Sequence, residues 1–209
     1  MAGILSADPG FGRGHTLGVK DASQGGSVTG TQKVFTDADT RTSHSGKFYS
    51  NRVVNCIAVR NTSGGPLLPG TFVKFKKTAI LDEVDGVAAS LTDAPFAVVD
   101  EYLPASGVAN NDVFWVVVSG PCAVKTAASL SPGAAVTVGA GGEGVAGTAA
   151  NAVGVAISPP ASGFVRTLVN VSSGHAASAV AGGGTEPSAA DGGAEPVAAS
   201  EPSSTKSKK

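Results

Sequence analysis

Three landmarks of this chain occur twice, in the same order. Leu68-Pro69-Gly70 with Val73, Asp85-Gly86-Val87-Ala88 and Pro104-Ala105-Ser106-Gly107 are answered by Ser131-Pro132-Gly133 with Val136, Glu143-Gly144-Val145-Ala146 and Pro160-Ala161-Ser162-Gly163. The separation between matching landmarks shrinks from 63 to 58 to 56 residues, so the second copy carries shorter loops. A Pro-Gly turn leading into a short apolar run is strand-and-turn chemistry. Its ordered recurrence predicts an all-β fold, a small β-sandwich or barrel built from a duplicated β unit. What recurs is turn and core residues, with no repeated acid, base or metal ligand. The pattern points to a structural or binding protein, not an enzyme.

The folded part is expected over residues 51–171. Arg52–Arg60 is a strand-like run ended by the turn residues Asn61-Thr62-Ser63-Gly64-Gly65-Pro66. Thr71–Lys76 alternates apolar with polar residues, and Val113–Val118 is the strongest β-forming run in the chain. The runs at 94–99, 134–138, 152–157 and 164–171 repeat the theme. No window shows a helical period with caps. The expected core comprises Val54, Ile57, Val73, Phe75, Val98, Trp115, Val117, Val136, Val155, Ile157, Val165 and Val169, each contributing about 1.5–3 kcal/mol when fully buried.

Both flanks differ from this middle portion. Residues 1–50 read as an extended amino-terminal arm, polar and punctuated by glycine, with apolar residues too sparse to offset an ordering cost of roughly 1–2 kcal/mol per residue. Phe11, Phe35, Phe48 and Tyr49 recur along it, and Thr31–Phe35 has the composition of a short strand. Spaced aromatics on such an arm suit a segment that docks on a neighbour, so these four are the candidate partner-binding residues. The other reading is that they pack on their own domain. Residues 172–209 are Ala, Gly, Ser, Glu and Pro with almost no large apolar side chain, and they read as a disordered, solvated tail.

Charge and hydropathy exclude several classes. A formal net charge of −1 offers no general attraction for nucleic acid or an anionic membrane. No apolar run approaches the roughly 20 residues that span a bilayer. The first eight residues lack a basic region followed by an apolar stretch, so a secretory signal is not expected and synthesis in the cytoplasm is. Cys56 and Cys122 sit 66 residues apart within apolar runs, without zinc or redox spacing. They read as buried reduced thiols, with a disulfide between the repeats as the alternative.

The search for chemistry is nearly empty. The three histidines, His15, His44 and His175, all fall outside the folded repeats, so no catalytic or metal site is expected, and no cofactor. Gly10–His15 imitates a phosphate-binding loop but lacks its Gly-Lys-Ser/Thr ending and its strand–helix context. Asp82–Asp85 and Asp100-Glu101 read as solvated loop charges. Lys74, Lys76 and Lys77 read as guards of an exposed strand edge.

Leu68–Val73, Gly86-Val87-Ala88, Phe96–Val99 and Val113–Gly120, with the second round Leu130–Gly133, Gly144-Val145-Ala146 and Val153–Ala156, resemble the decoration, or cement, proteins of tailed-bacteriophage heads. The resemblance covers roughly residues 52–171. It implies a β domain on the exterior of a virion capsid, commonly a trimer, that contacts several copies of the major capsid protein and stabilises the shell by bridging them. On that expectation, deleting residues 1–45 leaves the domain folded and weakens shell binding. A virion surface adhesion module binding host glycans is the alternative, with Tyr102, Asp100 and Glu101 as its patch.

Overall fold

Short β-branched runs separated by Gly, Pro and Asn leave this chain little choice but strands, and the computed structural model has ten of them among the residues it describes, 11–18, 28–36, 53–79 and 81–171. They are β1 (Gln32–Thr36), β2 (Val53–Asn61), β3 (Phe72–Phe75), β4 (Glu83–Val87), β5 (Phe96–Val99), β6 (Val113–Lys125), β7 (Ala135–Val138), β8 (Gly144–Ala146), β9 (Gly154–Ala156) and β10 (Phe164–Asn170). A single 3₁₀ turn, Leu91–Asp93, is held by Ser90 and Asp93 in a reciprocal cap. The fold is all-β. Residues 1–10, 19–27 and 37–50 of the arm, and the tail, lie outside the described residues.

The duplication is legible in the pairing. β3 sits between β4 and β5, antiparallel to both, and β7 sits between β8 and β9 in the same way. β5 then pairs with β6, and β9 with β10. Because β6 and β10 pair with each other, the run β4-β3-β5-β6-β10-β9-β7-β8 reads as a palindrome. Val73 faces Ala97 and Val87, and its counterpart Val136 faces Gly154 and Ala146. The turn before each repeat uses the same backbone device. Gly70 and Gly133 both sit at positive φ, 73° and 88°, which L-residues rarely adopt.

β6 serves both repeats. Its first half pairs with β2, from Arg60↔Val113 to Asn55↔Ser119, and its second half pairs with β10, from Ser119↔Asn170 to Lys125↔Phe164. The change of partner falls at Gly120, whose φ is 113°. A Cβ there would lie 2.6 Å from the Val53 carbonyl oxygen and 2.9 Å from the Val54 Cα. Only glycine lets the β2 backbone pass this close.

In the first repeat the sheet closes on itself. β2 pairs with β6 on one edge and, in parallel, with β4 on the other through Arg60↔Glu83 and Asn61↔Val84. The five strands β2, β4, β3, β5 and β6 thus form a small barrel. Strand alternation then gives two cores. Ile57, Val59, Val73, Phe75, Val84, Ala97, Val99, Phe114 and Val116 fill the barrel. Val54, Cys56, Ala58, Phe96, Val98, Trp115 and Val117, from the opposite faces of the same strands, form a second core with Val136, Val138, Ala156, Val165 and Val169 of the second repeat. Strands β2, β5 and β6 are therefore apolar on both faces, which explains why their sequences run rather than alternate.

Two expectations need correcting. Val155 is exposed, because its neighbours Gly154 and Ala156 take the inward positions of β9, and Ile157 is only half-buried. Lys74 does not guard a strand edge, since β3 is paired on both sides; Lys76 instead bonds Glu83 at 2.7 Å. Over its described residues the arm takes the second of its two readings: β1 forms where Thr31–Phe35 was expected to be a strand, and 11–18 is a strap that packs on the domain.

Candidate docking surface

The strap is held by aromatic stacking and by charge. Phe11 stacks on Trp115 with ring centroids 5.0 Å apart, and Phe35 of β1 meets the same indole edge-on at 5.2 Å. The Trp115 indole N–H donates to the Phe11 carbonyl at 3.2 Å, so the fully buried ring is satisfied at its one polar atom. Leu17 exchanges two backbone hydrogen bonds with Val113, of 2.8 and 2.9 Å, which adds a residue of sheet beside β6.

Between these contacts lies Arg13. Its Nε donates to Asp100 Oδ2 at 2.6 Å and its Nη2 to Oδ1 at 3.1 Å, while the guanidinium lies 4.6 Å from the Tyr102 ring centroid. Asp100 also accepts from the Tyr102 backbone N–H at 3.1 Å. The next residue, Glu101, is bonded by Arg166 of β10, and Arg13 Nη2 stands 3.9 Å from the same carboxylate. Burial opposes the charge on Arg13, but Asp100 outweighs it by charge and hydrogen bond, so the guanidinium is held firmly protonated. Asp100 and Glu101 are thus buried in ion pairs, not solvated loop charges. The cluster ties strap, first repeat and second repeat together at one point.

Of the four arm aromatics, the structure brings Phe11 and Phe35 together on Trp115 of their own chain, and Phe48 and Tyr49 lie outside the described residues. Sequence reasoning passed over Arg13 and Arg166. The signal was present: Arg166 is the lone charge in a largely apolar strand, and a charge buried there needs a partner. His15 is exposed on the strap, while His44 and His175 are not described. Among the described residues no group of three His, Cys, Asp or Glu side chains is placed to hold a metal ion. Both cysteines are free and buried. Burial, reinforced by Asp100 at Cys56 and by Glu101 and Asp100 at Cys122, pushes both thiols above their ordinary range.

The outer surface carries what the interior does not use. Val34, Val53, Val155, Phe164 and Leu168 are exposed large apolar residues. Leu168 lies opposite Val155 of β9 and buried Pro121 of β6, so the exposed part of this apolar row is the Leu168–Val155 pair. Val34 and Val53 lie on the shared outer face of β1 and β2. Sequence reasoning assigned Val155 to the core and did not single out the others as surface.

Fold and surface together define an all-β body of two fused repeats, doubly cored and strapped by its own arm. No protein-family model matches the chain, and no curated protein does. Among solved structures it is similar to the head fiber gp8.5 N base of bacteriophage phi29, with 15% identity and a TM-score of 0.40, over 56% of this chain and 93% of that one.

Proposed function

We propose that this protein is a structural component of a bacteriophage virion that binds the outer surface of the capsid and stabilises the shell by bridging neighbouring major capsid protein subunits. The observation that carries the reading is an exposed apolar pair, Leu168 against Val155 across β10 and β9, with exposed Phe164 further along the same face of β10. Such a patch is suited to docking on another protein. The resemblance of residues 52–171 to decoration proteins supplies the partner. Of the arm aromatics, the reading relies on Phe48 and Tyr49, because Phe11 and Phe35 pack on Trp115. The trimer belongs to this proposal. Glycan binding is not carried forward, because the acidic pair its patch needed is buried against Arg13 and Arg166.

Deleting residues 1–45 is no longer the clean test, since it would also remove Phe11, Arg13 and β1. The test is co-sedimentation with empty phage shells of the full chain, of Leu168→Asp and of the Phe48→Ala/Tyr49→Ala double variant. Retained folding with at least tenfold weaker shell binding in Leu168→Asp supports the proposal. Binding unchanged in every variant, or no binding by the unmodified chain, overturns it.

A further inference from the structure

The edge strand β1 has a feature that capsid docking does not require. Among the described residues it pairs with β2 only, in an unbroken antiparallel register from Gln32↔Ile57 to Thr36↔Val53. The Ala58 N–H donates to the Thr31 carbonyl at 2.9 Å, so residues 31, 33 and 35 turn their backbone groups toward β2. By alternation, the N–H and C=O groups of Gln32, Val34 and Thr36 point away from the sheet. Among the described residues nothing pairs with them. The side chains of those three are exposed, and Val34, at 61%, is the most exposed large apolar residue described.

Edges of this kind are normally blunted by charged residues, lysine above all, by proline or by a bulge. β1 has no proline and no bulge, and its one charge, Lys33, lies over the Phe35 ring, 5.4 Å from the centroid. The strand is also complementary to itself. Antiparallel pairing centred on Val34 would set Val34 against Val34, Gln32 against Thr36 and Lys33 against Phe35. All outward-facing backbone groups would then be matched, making about six hydrogen bonds. Each ammonium would face an aromatic ring and not a second ammonium. Shifting the register by two residues shortens the ladder, and shifting it by one sets outward-facing groups against inward-facing ones.

We propose that two copies of this chain join through their β1 strands, edge to edge, about a twofold axis centred on Val34. The contact is independent of which shell the protein binds. It would couple neighbouring copies directly, so that weak individual contacts add through effective concentration.

The test uses the full chain. Val34→Pro removes an outward N–H and leaves the β1–β2 bonds in place, because an edge strand accepts proline where the N–H faces solvent. Sedimentation velocity from micromolar to millimolar concentration should show reversible pairwise association of the unmodified protein, of single chains or of trimers, weakened at least tenfold in Val34→Pro with an unchanged circular-dichroism spectrum. Val34→Cys reads the register. Facing residues in a hydrogen-bonded pair have Cα atoms about 5.5 Å apart, within disulfide reach, so mild oxidation should give a covalent dimer, whereas Val155→Cys should not. An unmodified protein that shows no pairwise association, an assembly of any size indifferent to Val34→Pro, or a Val34→Cys protein that does not cross-link would each overturn the proposal.

Discussion

Arg13 and Asp100 are 87 residues apart in the chain and share two side-chain hydrogen bonds, of 2.6 and 3.1 Å, in a site where both side chains are almost wholly withdrawn from water. Removing either partner leaves the other as a buried, uncompensated charge. Arg13→Ala and Asp100→Ala should each destabilise by about 3–5 kcal/mol, whereas the apolar double variant Arg13→Met/Asp100→Leu should recover much of the loss. Urea denaturation of the three proteins checks this. Arg13→Lys should behave like a loss variant, since an ammonium cannot reproduce the two-point grip.

The Phe11–Trp115 stack predicts that the strap detaches as a unit. Phe11→Ala should expose residues 11–18 to limited proteolysis while residues 53–171 stay resistant, and Trp115→Ala should destabilise the whole domain by about 3–5 kcal/mol. If both variants were cut at the same rate as the unmodified chain, the strap would not be anchored by this contact.

Gly120 is the point where β6 exchanges one partner for the other. Gly120→Ala combines a positive-φ penalty with a Cβ 2.6 Å from the Val53 carbonyl oxygen, and should cost at least about 2–3 kcal/mol. Gly133→Ala, equally at positive φ but with open space around the added atom, should cost less. Thermal unfolding of the two variants measures the difference.

Both cysteines must stay protonated in the fold. Their folded pKa values are raised, so the unfolded chain ionises first, from about pH 9, and stability should fall as pH rises beyond that value. Cys122→Ala should reduce that alkaline slope by about 1.4 kcal/mol per pH unit. Thiol-specific reagents should label neither residue in native protein and both after unfolding, which titration with a chromogenic disulfide would record.

How much of this was legible beforehand depends on the range of the interaction. The landmarks Pro69-Gly70 and Pro132-Gly133 are local, because a positive-φ glycine after proline makes the same turn wherever it stands. They foretold the paired repeats, and Val73 with Val136 foretold the core. Val155 was misplaced because a continuous apolar run, 152–157, does not say which face is inside; that depended on Gly154 and Ala156 packing inward. Lys74 was misplaced because edge or centre is a property of neighbouring strands. Arg13 looked like part of a glycine-rich loop until a carboxylate 87 residues away gave it a partner.

The order of residues alone determined a β fold, its duplication and the turns that punctuate it, since backbone preference and alternation act over a few positions. Tertiary structure alone decided that β6 serves both repeats, that the first repeat closes into a barrel, and that residues 11–18 of the supposed arm strap the domain. Those outcomes depend on which distant surfaces exclude water together and which buried charges find each other, and neither is written within any short window of sequence.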